Sequence, residues 1–102
     1  MSSSFKMLLA IGCFVVVLFS CAPGLYIPLS SDAQKAGVLI EDLALGRSLY
    51  VRNCGSCHSL IAPTYLRPSE WNPMLTVMQQ KAKVSNEDIE LIRSYLLARA
   101  KQ

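Results

Sequence analysis

The sequence predicts an all-α fold, a small domain of three to four helices. Apolar residues recur at spacings of three and four along three separate stretches, which is the period of a helix that buries one face. The residues around positions 54–58 show no period-two alternation, which a strand would require. A chain of 102 residues, 52% of them hydrophobic, has room for one such domain.

The amino-terminal twenty residues predict a targeting segment. Lys6 supplies a positive charge ahead of a mostly apolar run, residues 7–19, which is short for a bilayer span and suits a signal peptide. Leu18-Phe19-Ser20-Cys21 resembles the lipobox of bacterial lipoproteins, which implies cleavage after residues 1–20 and a lipid on Cys21. An ordinary signal cut elsewhere and an uncleaved anchoring helix remain alternatives.

Under all three alternatives, residues 22–102 are predicted to lie outside the cytoplasm. A lipid on Cys21 would attach them to the periplasmic side of a bacterial membrane. Residues 21–31 contain two prolines and a glycine, which discourage a helix, so they are predicted as a tether to a domain of residues 32–102. Loss of Lys6 leaves nine basic residues against seven acidic ones, which gives no electrostatic basis for binding nucleic acid.

The first helix of the domain is predicted from about residue 32 to 53. Its apolar stripe has members at spacings of four, three, four and four residues. The stripe consists of Leu39, Leu43, Gly46, Tyr50 and Cys54. A glycine inside a helix costs about 1 kcal/mol relative to alanine, so Gly46 indicates that another element approaches closely there.

The last helix is predicted to begin after Ser85, an N-cap serine with the acidic Asp88 three residues later. Its apolar face is wide and needs a partner, and the gap at Gly46 makes the first helix that partner. The apolar face consists of Ile89, Ile92, Leu96 and Ala100, flanked by Leu91, Tyr95 and Ala98.

The central motif is Cys54-Gly55-Ser56-Cys57-His58. Two cysteines two residues apart and followed by histidine predict covalent attachment of haem c, with thioethers at Cys54 and Cys57 and iron bound by His58. A thioredoxin-like dithiol would need a strand–helix–strand setting, and a structural zinc site would need four Cys or His ligands. Both alternatives fit this sequence less well.

The second axial ligand is sought in the segment from residue 69 to 83, because His58 is the only histidine in the sequence. Met74 and Met78 lie one helical turn apart on the same face as Trp71, and the period does not choose between them. Either methionine could instead be a filler of an apolar core. Pro73 is predicted in the first turn of this helix, after a loop formed by residues 59–70.

The run from Gly46 to His58, together with a closing helix that bears Tyr95-Leu96, resembles the small class I type cytochrome c domain of bacterial periplasmic electron carriers. The resemblance covers about residues 40–100. It implies that the first and last helices cross near the glycine, around one covalently attached haem. Tyr50 lies in the stretch that carries the resemblance and is assigned to the haem site.

The resemblance also implies roles for residues after the motif. Met78, seven residues after Trp71, would be the distal iron ligand, with Met74 as the alternative. The carbonyl of Pro63 would orient the imidazole of His58, although Pro63 could equally serve only to turn the chain. Tyr50, Pro63 and Trp71 are therefore predicted to contact the haem.

An iron held by His58 and Met78 has no open position, so it exchanges single electrons and does little else. The sequence thus predicts a membrane-tethered periplasmic monohaem cytochrome that carries electrons between redox proteins and is not itself an enzyme. Two alternatives remain: a haem c subunit of a larger periplasmic dehydrogenase, and a five-coordinate haem sensor in which neither methionine binds the iron.

Overall fold

The computed structural model describes residues 24–55 and 59–102. This part of the chain is helical and contains no strand, which confirms the predicted all-α fold. No helix within it is long and apolar enough to cross a membrane. The elements are α1 (Ser30–Ala36), α2 (Ile40–Cys54), a 3₁₀ turn (Pro63–Tyr65), α3 (Pro68–Ala82) and α4 (Asn86–Ala98). The predicted signal peptide, Cys21, Cys57 and His58 lie outside the described residues.

The single helix predicted over residues 32–53 is wrong, because the structure has two helices there. Gly37 ends α1 in the left-handed region with φ of 68°, which glycine adopts without strain. The chain then turns, and Leu39 becomes the N-cap residue of α2. Leu39 is 66% exposed, so its assignment to the buried stripe was also wrong. Other stripe members on α2 are buried, as predicted: Leu43, Gly46, Tyr50 and Cys54.

The crossing of α2 and α4 at Gly46 is confirmed. A Cβ atom built on Gly46 would lie 2.1 Å from the carbonyl oxygen of Leu91 and 3.1 Å from the Cβ of Tyr95. The predicted cap of α4 is also present, since the Ser85 hydroxyl accepts a hydrogen bond from the Asp88 amide at 3.1 Å. The core between the two helices contains the buried face of α4: Ile89, Ile92, Tyr95 and Leu96.

Helix α3 begins at Pro68, inside the stretch of residues 59–70 that the sequence predicts as a loop. Pro68 occupies its first position, which proline favours, and the Glu70 carboxylate accepts the Arg67 amide at 2.8 Å. Pro73 therefore lies in the second turn, and its predicted place in the first turn was wrong. Proline is tolerated at that position because the carbonyl left without a partner belongs to Ser69, an exposed residue that water can reach.

The extended segment before α1 packs against the helices. The ring of Tyr26 stacks on that of Tyr95 with centroids 4.5 Å apart, and the Tyr95 hydroxyl donates to the Tyr26 carbonyl at 2.9 Å. The Arg99 guanidinium lies 4.3 Å from the centroid of the Tyr26 ring, and Arg47 Nε donates to the Tyr26 carbonyl at 3.1 Å. Part of the segment predicted as a tether, residues 21–31, is therefore attached to α2 and α4.

Candidate functional site

One cleft of the domain collects most of the described residues that the sequence assigned to the site. It lies where the carboxyl end of α2, the loop that follows the central motif and the face of α3 come together. Its lining is Tyr50, Cys54, Ile61, Trp71, Met74, Leu75 and Met78. Residues assigned from two separate stretches of sequence, 50–54 and 71–78, therefore share one space.

Cys54 is the last residue of α2 and is only 4% exposed. The stripe on α2 brings it to the cleft, because Tyr50 precedes it by one helical turn on the same face. Its sulfur therefore stands at the edge of an apolar space. Cys57 and His58, which complete the motif, are outside the described residues, so their roles stay predictions.

Helix α3 supplies the opposite wall of the cleft. Trp71 and Leu75 are 1% and 2% exposed and anchor the helix in the core. Met74 and Met78 are both partly buried and both line the cleft, one turn apart. Met74 also packs against the main hydrophobic core. The structure therefore brings both methionines to the site and gives Met74 a packing role.

Tyr50 fastens the loop after the motif to α2. Its hydroxyl donates to the Ile61 carbonyl at 2.7 Å and accepts the Ile61 amide at 3.1 Å. Burial raises the pKa of Tyr50 to about 12, although the hydrogen bond to Ile61 opposes that rise. The phenol is therefore neutral at physiological pH and keeps its donated bond. Sequence periodicity predicted the burial of Tyr50 but missed Ile61, which acts through its backbone.

Pro63 and Trp71 are joined directly. The Trp71 indole N–H donates to the Pro63 carbonyl at 3.0 Å, in a buried bond. This bond connects the loop after the motif to the helix that carries both methionines. A carbonyl oxygen has two lone pairs, so the predicted contact from Pro63 to His58 is compatible with it. That contact stays a prediction, because His58 is outside the described residues.

The sequence from Tyr50 onward matches a known family. A family model described as dihaem cytochrome c covers residues 50–102, just over half of the chain. The chain belongs to the dihaem cytochrome c family. No curated protein and no solved structure matches it. The region of this cytochrome that matches the family model contains the central motif and every residue that lines the cleft.

Family membership makes the protein a c-type cytochrome with haem c as its cofactor, and it supports electron transfer as the function. The family description refers to two haems, whereas the sequence contains one Cys-x-x-Cys-His motif and one histidine. The family match specifies neither a single haem nor the class I type, so both stay predictions. The lipoprotein signal lies outside both the matched region and the described residues.

The cleft of this cytochrome fits haem by the chemistry of its lining. It offers one thiol and two thioether sulfurs, and its other walls are aliphatic or aromatic side chains. Its cavity volume is about 20 Å³, room for about one water molecule. The described residues would therefore enclose only a small part of a porphyrin. Within the described part of the chain, no three His, Cys, Asp or Glu side chains cluster as a bare metal site would require.

Proposed function

We propose that this protein is a periplasmic electron carrier with one covalently attached haem, held at a membrane by a lipid on Cys21. The observation that carries the proposal is the apolar cleft in which Cys54, Met74 and Met78 meet, beside the only attachment motif of the chain. When bound there, haem supplies a one-electron couple at its iron. The chain's own residues then have to attach, orient and shield that group.

The attachment falls to Cys54 and Cys57 through thioethers, and His58 is the proximal ligand. Cys54 ends a helix whose position is set by the crossing at Gly46, so the attachment point is rigid. Tyr50 holds the loop after the motif by two hydrogen bonds to Ile61. These contacts support a proximal side that changes little when the electron moves.

We assign the distal position to Met78. Both methionines reach the cleft, but Met74 packs against the main core, so moving its sulfur toward the iron would disturb that packing. Trp71 fixes the helix that carries them through its bond to Pro63. A methionine on the far side raises the reduction potential and fills the last coordination position.

Electron transfer is favoured over chemistry on a substrate by the lining of the cleft. The described lining residues carry no carboxylate, lysine, arginine or histidine, and the one thiol, that of Cys54, is assigned to haem attachment. The one ionisable hydroxyl, that of Tyr50, has a pKa raised to about 12 and is engaged with Ile61. Such a cleft suits a group that gains and loses electrons without proton transfer.

The proposal is tested by absorption spectra and by haem stoichiometry of the purified protein. We expect one haem per chain, a low-spin ferrous form that does not take up carbon monoxide, and a ferric band typical of iron bound to methionine sulfur. Met78→Ala should lose that band, bind carbon monoxide and have a lower reduction potential. Met74→Ala, the matched control one turn away, should keep all three properties.

Other outcomes would contradict specific parts of the proposal. Carbon monoxide binding by the unmodified protein would favour the five-coordinate sensor. Two haems per chain would contradict the single-haem assignment. Loss of the methionine band in Met74→Ala, with Met78→Ala unaffected, would exchange the two methionines.

A further inference from the structure

The extended segment before α1, residues 24–29, reaches the loop that follows the central motif. A Cβ atom built on Gly24 would lie 3.2 Å from the Cβ of Ala62, a residue of that loop. Leu25 packs against the main hydrophobic core, and so does Ile61 of the same loop. Ile61 also lines the cleft. The extended segment therefore lies beside the loop that supplies one wall of the cleft.

Tyr26 is the residue that fastens the extended segment. Its ring stacks on the ring of Tyr95 with an angle of 12° between the two planes. The hydroxyl of each residue also donates a hydrogen bond to the main-chain carbonyl of the other. Tyr95 is fully buried in the core. Because a ring stack and two hydrogen bonds join the same two residues, the Tyr26 ring has a fixed place and orientation.

A second tyrosine connects this contact to the cleft. The ring of Tyr95 also contacts the ring of Tyr50, with centroids 6.3 Å apart. Tyr50 in turn meets Trp71 edge-on at 6.4 Å and holds Ile61 by two hydrogen bonds. Protein interiors are close-packed, so a ring that loses its neighbour lets the next one shift. The series of rings therefore ends at the loop and at the wall of the cleft.

We propose that Tyr26 is a positioning residue for the haem site. Through its ring contact with Tyr95, and from there through Tyr50, it holds the loop that contributes Ile61 to the cleft. It does not line the cleft itself.

The expected consequence of this positioning is a high reduction potential. An apolar surround limits the access of water to a redox group and so sets its potential. Water favours the more highly charged ferric iron, and a loop held in place keeps water away. The inference rests on the proposed function for the place of the haem in this cleft.

The experiment uses the full chain with haem attached and compares three variants. Tyr26→Ala removes the ring, whereas Tyr26→Phe keeps the stack and loses only the donated hydroxyl bond. Ile89→Ala is the matched control, because Ile89 is buried in the first turn of α4 and does not line the cleft. A cavity at Ile89 lowers the stability of the whole domain at a site away from the loop.

Two measurements are read together. Hydrogen exchange of the Ile61 amide, in the diamagnetic ferrous protein, reports on the loop because this amide donates to the Tyr50 hydroxyl. A spectroscopic redox titration gives the reduction potential. We expect the Ile61 amide to exchange several-fold faster in Tyr26→Ala than in Ile89→Ala, at urea concentrations that give equal free energies of unfolding. Tyr26→Ala should also have the lower potential, and Tyr26→Phe should match the unmodified protein in both measurements.

Three outcomes would overturn the inference and leave the proposed function standing. The first is equal exchange of the Ile61 amide in Tyr26→Ala and Ile89→Ala. The second is faster exchange with an unchanged potential, because the loop would then move without consequence for the haem site. The third is a loss in Tyr26→Phe as large as that in Tyr26→Ala, because the ring stack is intact there.

The inference can be tested even if Tyr26→Ala does not fold. Tyr26→Leu, which keeps apolar volume and lacks the ring stack, then takes its place with the same expected results. The proposed function is judged separately, in the unmodified protein. It fails if that protein binds carbon monoxide or shows no methionine band, whatever the variants at Tyr26 do.

Discussion

At Gly46 the main chains of two helices approach so closely that only a hydrogen atom fits between them. The Cβ of any other residue would lie 2.1 Å from the Leu91 oxygen and 2.8 Å from its carbonyl carbon. Both are backbone atoms, so no side-chain rotation can relieve the overlap. This one position sets the distance between α2, which ends at Cys54, and α4.

Gly46→Ala tests this close approach. Alanine would raise helix propensity by about 1 kcal/mol, but forcing the helices apart costs about 1–3 kcal/mol or more, and the backbone overlap favours the upper end. We expect the free energy of unfolding of the haem-loaded protein to fall by about 2 kcal/mol, measured by urea denaturation.

The matched control for Gly46→Ala is Ala44→Gly, an exposed position on the same helix. This substitution changes helix propensity at a position away from the helix crossing, and it should lower the free energy of unfolding by about 1 kcal/mol. A Gly46→Ala protein that is more stable than the unmodified one would contradict the crossing described here.

At the scale of elements, α1 depends on α4. A helix of seven residues is too short to be stable in water by itself. The Arg99 guanidinium donates to both oxygens of the Asp32 carboxylate at 2.9 Å, and the Leu29 amide donates to the same carboxylate at 2.8 Å. Arg99 also covers the Tyr26 ring. One ion pair therefore holds α1 and the extended segment before it against the end of α4.

This pair predicts how stability depends on pH. The bond from Arg99, chiefly, lowers the pKa of Asp32. A lowered carboxyl pKa contributes stability above the unfolded-state value of about 3.9, and that contribution is lost as pH falls through the folded-state value. Asp32→Asn should therefore lower the free energy of unfolding by about 1–2 kcal/mol at pH 7, with a smaller difference from the unmodified protein at pH 3.

The control for Asp32→Asn is Glu90→Gln, which removes the other ion pair that the described residues form. The Glu90 side chain is 66% exposed and contacts Arg93 at 3.3 Å. An exposed pair of this kind contributes less than about 1 kcal/mol. Equal effects of the two substitutions at pH 7 would show that the Asp32 pair has no special role.

At the scale of the whole molecule, the core is small and one part of it forms the wall of the cleft. Trp71, Leu75, Tyr50 and Cys54 belong to the main hydrophobic core and also line the cleft. Domains of this size bury a low fraction of their surface and have little stability in reserve. A haem in the cleft would therefore complete the core as well as carry the electron.

Removal of haem tests that dependence. We expect Cys54→Ala with Cys57→Ala to be largely unfolded, with loss of the helical circular dichroism signal and of a cooperative thermal transition. The control is the unmodified chain produced without haem attachment, which separates the loss of haem from the loss of two sulfurs. A haem-free chain of either kind that unfolds cooperatively at the native temperature would contradict the prediction.

Much of the site could be predicted because its signals are local in the sequence. The attachment motif is a run of five residues, and a helical period placed Tyr50, Trp71 and both methionines on buried faces that do meet in one cleft. The start of α3 was missed because Arg67 is an unusual N-cap, although Pro68 and Glu70 are typical of a first turn. The break at Gly37 was missed because the predicted helix was extended from Leu39 back to residue 32, although the apolar stripe has no member before Gly37.

The sequence by itself determined the helical class, the haem motif and the close approach at Gly46. Helical periodicity, a cysteine–histidine motif and a glycine without a side chain are all properties of single residues and their near neighbours. Only the tertiary structure decided the docking of Tyr26 on Tyr95, the pairing of Asp32 with Arg99 and the bond from Trp71 to Pro63. The first two join residues 69 and 67 positions apart, and no local pattern specifies such a partner. They exist because folding brings distant donors, acceptors and rings together in a space where each must be satisfied.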